Sequence, residues 1–262
     1  AMHNRLFQKL GLDHLYLPVE VSAEDLRAVF DGLIRMNVAG FNVTIPHKVR
    51  IMELLDEVDP RAEVIGAVNT ICLRDRRTLG FNTDGEGFCT SLETQLSTSI
   101  DGKRVLILGA GGAARGIGMT LAFRGAAKIY FSNRTASKAE ALSAELNRGI
   151  RPCAEAIPHT SEALAKALKD CHILVNATGV GMHPEDDAMP IDGGLLFKEL
   201  AVADIVYHPL MTRLLKSAKQ TGCAIVKGQG MLVYQGALAF KLWTGLDPPV
   251  EEMFAALNAP TR

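Results

Sequence analysis

Arg104-Val105-Leu106-Ile107-Leu108-Gly109-Ala110-Gly111-Gly112-Ala113-Ala114-Arg115-Gly116 begins as an apolar run and passes straight into a glycine-rich turn. An apolar run of that length suits a strand buried on both faces. Gly109 permits a tight turn after it, and Gly111 lets a pyrophosphate approach the backbone. Gly112 or Ala114 keeps the next helix close to the strand. The free N–H groups and positive dipole end of that helix then face the phosphates. Gly109, Ala110, Gly111, Gly112 and Ala113 are therefore expected to hold a dinucleotide. A glycine-rich turn without a ligand is the alternative. The agreement of strand, turn, helix and second strand favours the nucleotide.

The rhythm around this stretch is strand then helix, repeated. Lys128 to Ser132, His172 to Asn176, Ala203 to Val206 and Cys223 to Lys227 are expected strands, with helices at Ala136 to Asn147 and Leu210 to Gln220. That alternation implies a parallel sheet covered on both faces. The segment 85–229 thus reads as a Rossmann-type domain. Residues 1–84 differ in character. Ser22 with Asp25 resembles a capping box, and Leu26, Val29, Phe30, Leu33 and Ile34 form an apolar stripe at helical spacing. A short strand from Phe41 to Ile45 follows, and Pro46 is suited to open a helix at its first position, which would place Lys48 just inside it. Val68 to Leu73 and Thr78 to Asn82 read as strands joined by the charged turn Arg74-Asp75-Arg76-Arg77. The stretch 230–262 is helical, with Met231, Tyr234, Leu238 and Leu242 on one face, and is expected to return to the first domain. The fold class is α/β, with a substrate-binding domain (1–84 plus 230–262) and a nucleotide-binding domain (85–229).

The residues after the second strand of the nucleotide domain choose the cofactor. An NAD site places a carboxylate there for the ribose 2′-hydroxyl. Here the strand leads into Ser132-Asn133-Arg134-Thr135, with Lys138 just beyond and no carboxylate. Arg134 offers a planar cation to a 2′-phosphate, Lys138 adds charge, and Asn133 and Thr135 supply neutral hydrogen bonds. NADP is the expected cofactor, although the triplet would also serve as a helix-capping turn.

Composition excludes several classes. The 262 residues carry 48% apolar and 22% charged side chains and a formal net charge of −1. That balance argues against a nucleic-acid partner. No apolar run approaches the roughly 18 residues that span a bilayer, and Ala1 to Leu10 is too polar for a signal peptide. Cys72, Cys89, Cys153, Cys171 and Cys223 are scattered and odd in number, without zinc spacing. Buried free thiols in a reducing cytoplasm, no metal and a small-molecule substrate are expected.

Hydride transfer at an alcohol needs a group that handles the hydroxyl proton. Asn42-Val43-Thr44-Ile45-Pro46-His47-Lys48 and Asn82-Thr83-Asp84 each place such groups at a strand end. Taken alone, Lys48 and Asp84 read more often as surface charges. Together with their surroundings they resemble something more specific. Phe41 to Lys48, Gly66-Ala67-Val68-Asn69-Thr70, Gly80 to Gly85, Gly109 to Ala113, Asn133-Arg134-Thr135, and Met231 to Ala237 near Trp243-Thr244-Gly245 follow in order. This succession resembles the shikimate dehydrogenase family over nearly the whole chain.

The resemblance implies two α/β domains flanking a cleft and reversible NADPH-linked reduction of 3-dehydroshikimate to shikimate, within aromatic amino-acid biosynthesis. It implies Lys48 and Asp84 as the catalytic pair, with Thr44, Asn69, Tyr207 and Gln235 also on the substrate. It extends the cofactor strip from Gly109–Ala113, Asn133, Arg134, Thr135 and Lys138 to Thr178, Gly228 and Met231. Whether Lys48 transfers the proton or holds the oxygen as a cation stays open, as does the choice between monomer and homodimer. His47 is expected to be structural.

Two departures matter. Family members carry a further strand and a serine motif just before the segment matching Met2-His3-Asn4. Tyr207-His208-Pro209 has His where the family often has Asn, and His208 reads first as a turn residue. A quinate/shikimate dehydrogenase with relaxed cofactor choice is the neighbouring alternative. A non-catalytic NADP-binding regulatory relative is the reading favoured where the serine motif is natively absent.

Overall fold

The computed structural model describes residues 2–258. Packing divides the chain into two units. One joins the stretch up to Thr83 with the stretch from Val233 onward, and the other is Asp84–Leu232.

The first unit begins with helices α1 (Met2–Lys9) and α2 (Leu26–Arg35) and holds strands β1 (Gly40–Asn42), β2 (Glu57–Val58), β3 (Thr70–Arg74) and β4 (Arg77–Phe81), with helix α3 (Pro60–Ile65) between β2 and β3. The sheet order is β1-β3-β4-β2. β3 pairs antiparallel with both β1 and β4, and β2 runs parallel to β4. Asp75 and Arg76 both adopt positive φ, 49° and 61°, which matches the strand twist at a two-residue hairpin turn. Leu26 and Phe30 of the α2 stripe are buried with Val43, Ile51, Ala62, Val68 and Ile71. Ser22 and Asp25 do bond, Asp25 N–H to Ser22 Oγ at 3.1 Å and Ser22 Oγ–H to Asp25 Oδ2 at 2.7 Å. They do so in the turn before α2 rather than across its first turn.

Pro46 does not open a helix. The strand ends at Asn42, the Ile45–Pro46 peptide is cis, and Lys48 stands in a turn ahead of a 3-10 helix at Arg50–Leu54. The Lys48 carbonyl accepts the N–H of Val68 at 2.8 Å, and the Asn69 carbonyl accepts the N–H of Val43 at 2.8 Å. Bonds to the 68–69 segment hold this backbone where helical propensity would have coiled it.

The second unit is α4 (Asp84–Leu96), then β5 (Arg104–Leu108), α5 (Gly112–Phe123), β6 (Lys128–Ser132), α6 (Ala136–Gly149), β7 (Ala154–Ile157), α7 (Ser161–Asp170), β8 (Ile173–Asn176), β9 (Ala201–Asp204), α8 (Arg213–Thr221) and β10 (Ala224–Val226). The six strands are all parallel, in the order β10-β9-β8-β5-β6-β7. The order reverses between β5 and β8, the place where doubly wound sheets bind ligands at their carboxyl ends. Close approach of α5 to the sheet is set by Gly118, where a Cβ would lie 2.4 Å from Phe131 Cζ. Of the two residues expected to set this packing, Gly112 meets nothing within 4 Å, whereas Ala114 is fully buried. Gly85 of α4 would meet the Gly116 carbonyl at 2.5 Å, and Arg124 joins Glu86 and Glu93 of α4 at 2.5 and 2.6 Å.

The last long helix, α9 (Gln229–Thr244), has its first turn in the second unit and the rest in the first. From Val233 it packs with α1 and with α10 (Val250–Asn258) through Leu6, Phe7, Ala237, Phe240 and Met253. Trp243 Nε1 donates to the Ile71 carbonyl of β3 at 2.9 Å. No side chain would fit at Gly40 beside it, because a Cβ there would lie 2.3 Å from both atoms of that bond. His3 sits among Tyr16, Trp243 and Phe240, and burial there lowers its pKa to about 4. No described helix is long and apolar enough to cross a membrane.

Candidate active site

At the carboxyl end of β5, Gly109 has φ of 109° and lies against the Ala177 carbonyl, so a side chain there is excluded twice. Gly111 and Gly112 are different. Neither has positive φ, and a Cβ at either would meet nothing within 4 Å. The protein's own packing does not demand glycine at these two positions, but a phosphate lying against the backbone would. Gly111 stands at the N-cap of α5 without a side-chain cap. The first-turn N–H groups are therefore open to an anion. Arg115, inside the same string, is committed elsewhere, in a bidentate pair with Glu145 of α6.

The β6 strand ends beside this loop, with the Gly109 N–H donating to the Ser132 carbonyl at 2.8 Å. Thr135 occupies the N-cap of α6, but its hydroxyl makes no cap bond. Asn133 Nδ2 instead donates to the Thr135 carbonyl at 3.0 Å, closing the turn. Arg134 and Lys138 are exposed and in no ion pair among the described residues. A bare glycine cradle and two uncommitted cations at the next strand end fit a dinucleotide with a 2′-phosphate.

In the first unit, polar side chains gather at the open end of the β3–β4 hairpin. Asn69 is 3% exposed. Its Oδ1 accepts from Thr83 N–H at 2.8 Å and Thr70 Oγ1 at 3.0 Å, and its Nδ2 donates to Thr83 Oγ1 at 3.0 Å and Gln235 Oε1 at 3.5 Å. Asn42 Nδ2 donates to Thr70 Oγ1 at 3.0 Å and to the Asn69 carbonyl at 3.1 Å, while Tyr16 OH donates to Asn42 Oδ1 at 3.0 Å. Lys48 is pinned through its carbonyl to Val68, the residue before Asn69, and Thr44 follows Val43, which bonds Asn69. Asp84 follows Thr83 directly and starts α4. Asn69, Gln235 and Thr83, the residue preceding Asp84, are thus gathered by one hydrogen-bonded cluster, and the Lys48 backbone is bonded to Val68 beside it. His47 is buried, with Nε2 2.8 Å from the Val21 carbonyl, and is structural as expected.

Three family models match this chain: the shikimate dehydrogenase substrate-binding domain over residues 1–71, the shikimate/quinate 5-dehydrogenase over 91–183, and the shikimate 5-dehydrogenase C-terminal domain over 228–257. A Methanopyrus kandleri relative, shikimate dehydrogenase (NADP(+)), is 46% identical over 98% of this chain and 89% of its own. The chain belongs to the shikimate dehydrogenase family. A Listeria monocytogenes shikimate 5-dehydrogenase solved with shikimate and NAD superposes with TM-score 0.94 at 38% identity, over 98% of this chain and 90% of that one. A Thermus thermophilus shikimate 5-dehydrogenase solved with NADP(H) and shikimate gives 0.86 at 38% identity, over 97% and 91%.

This shikimate dehydrogenase relative also holds groups that its motifs did not reveal. Asn176, at the end of β8, accepts on Oδ1 from the N–H of Thr178 at 3.1 Å and its hydroxyl at 2.6 Å. Its Nδ2 donates to Asp204 Oδ1 at 3.0 Å, and Asp204 further accepts from Val206 N–H at 3.0 Å and Thr212 Oγ1 at 2.7 Å. Thr178 is therefore oriented, through Asn176, by a buried carboxylate at the end of the next strand. Gly228 packs on that same segment, since a Cβ would lie 2.5 Å from the Ile205 carbonyl. Met231 is half-buried in the first turn of α9. Tyr207 is 55% exposed, and the His208 ring stands edge-on to His183 at 6.4 Å.

Burial raises the Asp204 pKa from 3.8 to about 6, against the lowering by its Thr212, Val206 and Asn176 bonds. The folded chain thus keeps a proton that the unfolded chain releases across that interval. The group's contribution to stability is greatest below about pH 4 and is lost as pH rises through about 6. A shift of that size corresponds to about 3 kcal/mol. Asp204→Asn should therefore gain on the parent, in ΔG from urea unfolding, as pH rises from 4 to 7. Parallel pH profiles for the two proteins would contradict the assignment.

Proposed function

We propose that this chain catalyses the reversible reduction of 3-dehydroshikimate to shikimate with NADPH. The observation that carries this reading is likeness to shikimate dehydrogenase (NADP(+)) at 46% identity over 98% of this chain, and we take Lys48 and Asp84 as the catalytic pair. We assign the stretch up to Asp84, with 230 onward, to substrate and 85–229 to the cofactor. Gly109, Ala110, Gly111, Gly112 and Ala113 would hold the pyrophosphate, and Asn133, Arg134, Thr135 and Lys138 the 2′-phosphate end. Thr178, Gly228 and Met231 would border the remainder. Five buried free thiols suit a reducing cytoplasm.

Bound NADPH supplies the hydride. Lys48 gives a proton to the ketone oxygen as it becomes a hydroxyl, and in the reverse direction its neutral amine takes that proton back. Asp84 accepts a hydrogen bond from a neighbouring ring hydroxyl, which fixes the ring relative to Lys48. Thr44, Asn69, Tyr207 and Gln235 contact the remaining ring groups. These contacts supply orientation, which converts binding into rate.

Arg134→Ala should weaken NADPH far more than NADH, because a charge-assisted bond to the 2′-phosphate contributes about 1.5–3 kcal/mol, or about 10- to 150-fold. Fluorescence titration of both cofactors checks this, and equal losses would make Arg134 a loop support. Lys48→Ala should lower kcat by about 10²- to 10⁴-fold with the KM for NADPH unchanged. Combined with Asp84→Asn it should lose less than the product of the single losses, as groups acting together do. A Lys48→Ala protein turning over shikimate at the parent rate would remove Lys48 from the chemistry.

A further inference from the structure

Ser132 closes β6 directly before the Asn133-Arg134-Thr135 turn and is fully buried. Its carbonyl takes the Gly109 N–H of the glycine loop at 2.8 Å. On its other side it pairs in register with Ile157, the last residue of β7. Two residues beyond Ile157 stands His159, exposed, with Nδ1 3.0 Å from Ser132 Oγ. Pro158 precedes it, and Thr160 after it is the N-cap of α7, its hydroxyl accepting the Ala163 N–H. The imidazole is thus fixed at the carboxyl edge of the sheet, beside the turn assigned to the 2′-phosphate.

The Ser132 hydroxyl has one hydrogen and two neighbours. The Pro158 carbonyl lies at 3.5 Å, the limit of a hydrogen bond, and His159 Nδ1 at 3.0 Å. The hydroxyl therefore donates to Nδ1, and the hydrogen of the neutral ring sits on Nε2. A ring that has taken up a second proton donates from Nδ1 to Ser132 Oγ, and the hydroxyl turns to the Pro158 carbonyl. Nε2 carries a hydrogen in either state, on the side of the ring away from Ser132, and bonds nothing among the described residues.

We propose that His159 is a further cofactor-selecting residue, oriented by Ser132 to donate from Nε2 to the 2′-phosphate of NADP. This deepens the cofactor reading above and rests on it. Arg134 and Lys138 bring charge on long, exposed side chains, which lose freedom when a phosphate orders them. His159 brings one donor on a short side chain already held by a buried hydroxyl, so less is lost on binding. The ribose of NAD has a neutral hydroxyl where NADP has the phosphate, and a bond to a neutral acceptor is the weaker one. The contact therefore favours NADP. Ser132 acts through His159, as a positioning residue.

Isothermal titration of the full chain with adenosine 2′,5′-bisphosphate and with adenosine 5′-monophosphate tests this. The parent should prefer the bisphosphate. His159→Phe keeps a ring but removes both nitrogens, and should cut that preference by about 3- to 10-fold, the loss of one exposed bond to a charged group. The loss should fall on the bisphosphate alone, and His159→Ala should match it. Ser132→Ala, which releases the ring, should cut the preference in the same direction. Histidine variants with the parent preference, or with equal losses for both nucleotides, would overturn the phosphate contact. Ser132→Ala with the parent preference would overturn the orienting role. Long-range ¹H–¹⁵N spectra of the free parent should show the neutral His159 ring with its hydrogen on Nε2, and a hydrogen on Nδ1 would overturn the tautomer. A parent that binds the bisphosphate no more tightly than the monophosphate would instead sink the NADP reading itself.

Discussion

The nucleotide half of this molecule depends on how closely α5 approaches the strands beneath it. Gly118 lets the helix settle onto Phe131 of β6, and Gly85 lets α4 settle onto α5 at Gly116. Larger residues at either place would force the layers apart, since interiors have no slack for an added methyl group. That packing directs the uncapped end of α5 over the glycine loop. Gly111 and Gly112 need no such packing reason, which separates glycines that serve the fold from glycines that serve a ligand.

The first unit solves a different problem with a small set of amides and hydroxyls. Its strands are short, three residues in β1 and two in β2, so little sheet pairing is available to fix the loop that carries Lys48. The cluster around Asn69 takes over that task. It ties β1 to β3 through Asn42, and the start of β3 to the segment that follows β4 through Thr83. Buried polar groups that are fully paired define one arrangement strongly, because every alternative leaves a donor or acceptor unmet. The orientation of the proposed substrate contacts follows from the same bonds that hold the fold.

Much of this was legible in the sequence, for physical reasons that differ by element. The fully apolar run before Gly109 leaves a buried parallel strand as the natural reading, and the helical stripe from Leu26 to Ile34 announces its own face. Arg74-Asp75-Arg76-Arg77 between two β-rich runs reads as a hairpin. The run Asn133-Arg134-Thr135 shows the missing carboxylate by simple inspection. Lys48 was misplaced because Pro46 suits a helix start locally, while the Val68 N–H that captures the Lys48 carbonyl lies 20 residues away. Of Gly112 and Ala114, the two residues expected to set the close approach, Ala114 is buried but Gly112 is open, and Gly118, which meets Phe131, was not among them because spacing cannot tell which small residue faces an aromatic ring. Asn176 reads as an ordinary strand end and Asp204 as a residue inside the expected strand Ala203 to Val206, and their bond to one another exists only once β8 and β9 are neighbours. Amide polarity at Asn69 is likewise a property of assembled donors and acceptors, invisible to any periodicity.

The account stands most directly on turnover by the purified parent protein. Initial rates of reduced-cofactor formation should be measured with shikimate or quinate as substrate and NADP⁺ or NAD⁺ as acceptor. The account predicts that shikimate with NADP⁺ gives the highest kcat/KM of the four combinations, with NAD⁺ lower by at least 10-fold. A protein that binds NADP⁺ yet oxidises neither ring acid, or that prefers NAD⁺, would contradict it.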